Sequence, residues 1–333
     1  MTETQKMTET QKKNKICFIN HKIKECSIYQ YGKRIFNILK KSNTQEYFYI
    51  EIDNCEEYKL LLSNNNFNII IYNYNKITLF WLTKYTINNN IKNFALIHDE
   101  TMPDFFNIII NINSIPRPIF ENIENIIYHY NSSKSNNNIT TLHNYENKNF
   151  IEKYTENEPN VPIFGSFGFG YKYKGFDKII RYVNNQYNEA IIKLIIFDSY
   201  FNQDKPLLNK IINDCLNMKC KKGIKLMICC DFFTDEELLL FLKSNTMNLF
   251  LYDFIDNRSL SNCIDYALSA KKPIGISISN KFNHIYSDDI CLYKHNIEYC
   301  KKKSNEICET FLINNSNENL IVYFDNIINK YID

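Results

Sequence analysis

The sequence predicts two doubly wound α/β domains joined by a polar linker. Three observations carry that expectation. Short β-rich runs alternate with helical patterns along the whole chain, the sign of parallel sheets covered by helices. A polar stretch at 131–160 interrupts the alternation, which then restarts. The length, 333 residues, exceeds the roughly 250–300 residues at which a single core stops growing. Hydrophobic residues at 44% and aromatic residues at 15% are enough for two cores and argue against global disorder.

The elements follow in order. "MTETQKMTETQKKNK" opens with a tandem polar hexapeptide and reads as a disordered tail over 1–14; it lacks the apolar core of a secretory signal. "KICFIN" (15–20) is a buried strand. "IYQYGKRIFNILKK" (28–41) places Ile28, Tyr31, Ile35, Ile38 and Leu39 on one helical face. "YFYIEI" (47–52) is a strand, a helix follows near 54–63, and "FNIIIY" (67–72), "NFALIHD" (93–99), "NIIINI" (107–112) and "NIIYHY" (125–130) are further strands. These make a first domain, 15–130. After the linker, 131–160, a second domain spans 161–317. It starts with the strand "VPIFGSF" (161–167), the helix "GFDKIIRYVNNQY" (175–187) and the strand "AIIKLIIF" (190–197). A helix around 204–220 leads to "IKLMICC" (224–230). Thr234 is a plausible N-cap for "TDEELLLFLKS" (234–244). "NLFLYDF" (248–254), the helix "SLSNCIDYALSA" (259–270) and "PIGIS" (273–277) complete the sheet. In the last helix, 318–333, Leu320, Phe324, Ile327, Ile328 and Tyr331 share an apolar face that must be buried. It is expected to cross back to the first domain, although burial on the second domain alone fits the same pattern.

Glycine is the scarcest clue and the most local. Four of the seven glycines fall in "GSFGFGYKYKG" (165–175), between a strand and a helix. There a loop of backbone N–H groups and a helix N-terminus can hold an anion, and ligands of such folds sit outside the carboxyl ends of the strands. Gly168, Gly170 and Gly175 would shape the loop, and Lys172 and Lys174 would add charge. A tight turn with ordinary surface lysines fits the same residues, and the spacing is not the dinucleotide fingerprint.

A second loop, within "YDFIDNRSLSNCIDYALSAKKPIGIS" (252–277), repeats the strand–loop–helix–strand order. Arg258 precedes a helix capped by Ser259 or Ser261, and its planar fork suits phosphate oxygens. Asp265 lies near the start of that helix, where a carboxylate could accept ribose hydroxyls; a solvated helix acid is the plainer reading. Both are expected at the same sheet edge as the glycine loop.

Together these segments resemble the donor domain of GT-B glycosyltransferases, particularly the retaining family 4 type. Lys174-Gly175 matches the Lys-Gly that neutralises the donor diphosphate in that family. Asp265 in "IDYALSAKKPIGIS" matches the acid that holds the nucleotide ribose. "ICFINHKIKECSIYQYGKRIFNIL" resembles the first strand, loop and helix of the acceptor domain. "LIHD" resembles the strand end that carries a histidine beside the sugar, which assigns His98 the catalytic role. The resemblance implies two Rossmann-like domains facing across a cleft and transfer of a sugar from a nucleotide-diphosphate donor. The acceptor would be a glycan, protein or lipid. Three positions depart from the family pattern: Ser27 replaces a loop glycine, Ser166 an arginine, and Asn257 the first acid of the Glu-x7-Glu pair. They favour the alternative of a catalytically decayed GT-B-like nucleotide-binding or interaction protein.

Other classes are disfavoured. No Asp-x-Asp occurs and no His/Cys cluster has zinc spacing, so neither metal nor cofactor is expected; Lys172, Lys174, Arg258 and a helix dipole would take the metal's place. No Walker loop or Gly-x-Ser-x-Gly elbow is present. A net charge of +2 without a basic stripe argues against nucleic acid. Apolar runs are broken before the roughly 18–20 residues of a membrane span. Eleven cysteines without a CxxC pair fit a reducing compartment, and the expected location is cytoplasmic. His21 and His284, each following a strand, are further cleft candidates.

Overall fold

The computed structural model describes residues 13–98, 103–121, 161–199, 205–255 and 260–332. Residues 1–12 of the tail, the linker at 131–160 and the expected strand at 125–130 lie outside them. Two compact units emerge. The first takes its described residues from Met1–Lys24, Ile28–Ile115 and Leu320–Asp333, the second from Glu25–Ser27 and Pro116–Asn319.

The first unit is built on β1 (Asn14–Asn20), β2 (Gln45–Glu51), β3 (Ile69–Tyr74), β4 (Lys92–Ile97) and β5 (Ile108–Asn111). All pairings are parallel, in the order β2-β1-β3-β4-β5. Strand side chains alternate between faces, and the two faces carry separate cores. Ile16, Phe18, Ile69, Ile71, Phe94 and Leu96 pack with Tyr31, Ile35, Ile38 and Leu39 of helix α1 (Ser27–Leu39). Cys17, Ile19, Ile70, Tyr72, Ala95 and Ile97 face the other way, onto Tyr58 and Leu61 of α2 (Cys55–Asn64). Between β3 and β4 the chain makes consecutive turns, with the amides of Thr78 and Leu79 both donating to the Asn75 carbonyl. Leu79, Trp81 and Leu82 of that connection complete the second core.

The second unit repeats the plan. Its strands are β6 (Ile163–Phe169), β7 (Glu189–Phe197), β8 (Gly223–Cys229), β9 (Met247–Phe250) and β10 (Ile274–Ile276). They are parallel, in the order β10-β9-β6-β7-β8. Phe164, Ile192, Leu194 and Leu249 bury one face against α3 (Phe176–Gln186), α4 (Lys205–Leu216) and α7 (Ile297–Asn314). Phe167, Ile195, Phe250 and Ile276 bury the other against α5 (Asp235–Lys243) and α6 (Asn262–Ser269). Thr234 caps α5 in a reciprocal capping box with Glu237, which satisfies two backbone donors at once.

The last helix, α8 (Asn317–Ile332), puts Leu320, Phe324 and Ile328, all fully buried, into the core of the first unit beside Ile16 and Phe94. Its polar anchor is Asp325, which accepts hydrogen bonds from Ser42 Oγ at 2.8 Å and Thr44 Oγ1 at 2.6 Å. Tyr331, counted on the apolar face by its spacing, is 41% exposed; its ring meets the edge of Phe94 and lies under the Lys330 ammonium.

Candidate functional site

The glycine stretch forms β6 and the turn that follows it. Lys172–Lys174 make one 3-10 turn, and Gly175 takes a left-handed conformation (φ 63°) before α3 begins. A Cβ at Gly175 would lie 2.1 Å from the Leu251 carbonyl oxygen. Only a residue without a side chain lets this turn close onto the end of β9. Gly168 also has a positive φ, 153°, and the Lys174 side chain lies across it, 3.4 Å from where a Cβ would be.

That placement sends Lys174 inward. Its Nζ donates to Tyr252 Oη at 2.8 Å, lies 3.7 Å from Cys263 Sγ and stands 4.1 Å from the centre of the Tyr252 ring. Only 7% of the residue is exposed. Burial disfavours the ammonium, but Cys263, Tyr252 and Tyr173 outweigh it and hold the lysine pKa above its ordinary value. Burial, then Cys263, pushes the Tyr252 phenol well up. The Asp253 amide donates to the Tyr173 carbonyl, and Lys178 pairs with Asp253. The glycine turn, the end of β9 and the first turn of α6 thus meet around one cation. Ser261, the N-cap of α6, makes no side-chain capping bond, so its hydroxyl does not compete for the helix's first amides.

The other expected residues divide. Lys172 does not join Lys174. It is exposed and lines a cavity of about 270 Å³ with Asp177, Arg181, Asp214 and Cys215, because neighbouring residues of a 3-10 turn point in different directions. Gly170 is buried and donates its amide to the Phe197 carbonyl. Arg258 and Ser259 lie outside the described residues. Asp265 is in the first turn of α6 as its position suggested, but it is fully buried. Its carboxylate takes two bonds from Arg117, from Nη2 at 2.8 Å and Nε at 3.1 Å. Arg117 is itself 2% exposed and also donates to Asn262 Oδ1. That occupation leaves no carboxylate facing solvent for a ribose.

In the first unit, His98 Nε2 lies 2.6 Å from Asn73 Oδ1. Asn73 Nδ2 in turn donates to Asn20 Oδ1 and to the Ile28 carbonyl. Gly32 makes room for this chain of amides, since a Cβ there would meet Asn73 Nδ2 at 2.3 Å. Ser27 is the exposed first residue of α1. His21 is fully buried, its Nδ1 accepting from the Ile23 amide. His284 is largely buried beside Phe311, with neither ring nitrogen hydrogen-bonded.

Burial lowers both pKa values to about 4. Asp53 and Glu51 oppose it at His21; Arg117 reinforces it, and Asp265 opposes it, at His284. A histidine neutral in the folded chain but titrating near 6.5 when unfolded stabilises the fold above pH 6.5. That contribution is lost as pH falls from there toward 4, because only the unfolded chain takes up the protons. The urea midpoint is therefore expected to drop between pH 7.5 and pH 5; a drop that persists in the His21→Gln/His284→Gln double variant would show other groups to be responsible.

Among the described residues no group of three or more His, Cys, Asp or Glu could hold a metal ion, and no helix is long and apolar enough to cross a membrane.

No protein-family model matches the chain, and no curated protein matches it in sequence. Solved structures do match in fold. Anabaena Alr3699/HepE, in complex with UDP-glucose, superposes with a TM-score of 0.62 at 8% identity, covering 95% of this chain and all of that one. The N-terminal domain of Candida albicans trehalose-6-phosphate phosphatase also gives 0.62, at 9% identity over 97% of this chain and 98% of its own. An alpha-glucosyltransferase in complex with UDP and a 13-mer DNA gives 0.56 at 12% identity, over 95% and 99%. With its two parallel five-stranded sheets, the chain has the Rossmann-like two-domain α/β fold of GT-B glycosyltransferases.

Proposed function

We propose that this chain is a glycosyltransferase that moves a sugar from a nucleotide-diphosphate donor without a metal ion. One observation carries the reading: the buried Lys174 ammonium stands at the carboxyl ends of β6 and β9, over Gly168 and beside the first turn of α6. That end of a parallel sheet is where such folds take ligands. A departing diphosphate needs concentrated positive charge, and fixed charges in a dry site act without reorganising. Lys174 and the α6 N-terminus supply it, with Arg258 and Ser259 assigned to the same anion from their place in sequence. Gly168, Gly170 and Gly175 shape the turn. Asp265 serves the site through Arg117, by fixing α6. His98 is the candidate group at the transferred sugar; to reach one, its Nε2 must exchange Asn73 for a sugar hydroxyl. The acceptor is a glycan, protein or lipid, and the expected compartment is the cytoplasm.

The likeness to chains seen with UDP or UDP-glucose supports the donor class. A second reading, a decayed scaffold that binds nucleotides without turnover, is favoured by the covered Lys174 and the Arg117-neutralised Asp265. The experiment is a titration of UDP-glucose, UDP and GDP into the purified protein, followed by NMR with and without EDTA. Saturable binding with slow EDTA-insensitive hydrolysis supports the enzyme. Binding with no turnover supports the scaffold, and no binding sinks both.

A further inference from the structure

Cys263 has no part in the expected site, yet its thiol lies against the cation at its centre. It sits in the first turn of α6, partly exposed, with Sγ 3.7 Å from Lys174 Nζ. The same ammonium donates to Tyr252 Oη at 2.8 Å, so lysine, phenol and thiol form one cluster. Cys17, Cys215, Cys291 and Cys300 are fully buried, and the exposed Cys230 is followed by Asp231, whose charge opposes an anion on sulfur.

We propose that Cys263 is a reversible oxidation site governed by Lys174, and that its sulfenate silences the anion site. Thiols react as thiolates, and the Cys263 Sγ lies 3.7 Å from an ammonium, in the first turn of a helix. The oxidant is a hydroperoxide. Sulfur attacks one peroxide oxygen, an S–O bond forms as the O–O bond breaks, and the thiol and hydrogen peroxide become sulfenic acid and water. A small thiol reverses the step: it condenses with the sulfenic acid to a mixed disulfide and water, and a second thiol releases Cys263. The sulfenate oxygen lies within reach of Nζ and engages the charge that a donor phosphate would use. This last consequence rests on the donor reading above; the oxidation chemistry does not.

The test uses the full chain, hydrogen peroxide with dimedone, and peptide mass spectrometry that resolves each cysteine. Cys263 is expected to carry the adduct before Cys230. Lys174→Met should slow that labelling about fivefold or more, and Lys174→Arg should restore it, since a cation beside sulfur sets the rate. Circular dichroism establishes that each variant is folded. Wild-type protein should lose UDP affinity on peroxide treatment and regain it with dithiothreitol, while Cys263→Ser shows the same affinity before and after. Labelling of Cys263 at an equal rate in wild type and Lys174→Met overturns the proposal. Lys174-dependent labelling in a protein that binds no nucleotide keeps the oxidation site and overturns the donor reading instead.

Discussion

Lys174→Met is expected to weaken UDP or GDP binding about 10- to 150-fold, roughly the 1.5–3 kcal/mol of a charge-assisted hydrogen bond. Methionine keeps most of the apolar stem that lies across Gly168 and against Tyr252, so packing is largely retained while the charge is lost. Tyr252 loses a donor but remains able to donate its own hydroxyl proton, which limits the cost to stability. Calorimetric titration of both proteins, with urea unfolding alongside, separates the two effects. A dissociation constant that does not move would take the glycine turn out of the binding site. A loss far beyond about 3 kcal/mol, the upper end for a bond to a charged group, would mean that Lys174 also holds the loop in shape.

The sheets were the most legible part of the molecule. Buried parallel strands read as continuous apolar runs such as "AIIKLIIF", and β7 runs over Glu189–Phe197. The connection between β3 and β4 was less legible, because "NKITLFWL" carries enough Leu and Trp to fill a core without forming a helix. At the site, the glycine cluster was readable because Gly168 and Gly175 need positive φ. The direction of each lysine was not, since a side chain's heading depends on the turn type, and Lys172 and Lys174 part company. Tyr252 and Cys263 were missed for a different reason. Neither residue type is rare here, and only the packing of α6 against the end of β9 brings them to Lys174. Arg117 was findable. It is one of four arginines in the sequence, and the scarcity that drew attention to Arg258 applies equally to "IPRPIF".

Arg117→Ala is expected to destabilise the second unit by about 3–5 kcal/mol, the cost of leaving a buried charge without its partner. Asp265 is 0% exposed and both its oxygens face the guanidinium, so removing Arg117 strands a carboxylate that water cannot reach. The loss extends past the pair. Arg117 Nη2 also holds Asn262, at the start of α6, and that bond goes with the side chain, while the Arg117 backbone amide keeps its bond to Asn315 Oδ1 beyond the end of α7. α6 carries Cys263 and presents its first turn to Lys174, so the helix should loosen where the anion would bind. Asp265→Asn in an Arg117→Met background removes both charges and should recover most of the stability, as neutral replacements of buried ion pairs often do. Urea unfolding of the single and double variants measures this. Nucleotide titration of the double variant then separates two roles for Asp265. If the acid only positions α6, affinity should stay close to wild type once the fold is restored. If it reaches the ribose, as the family resemblance implies, affinity should fall although stability has returned, and the Arg117 pair seen here would have to open for the donor to bind.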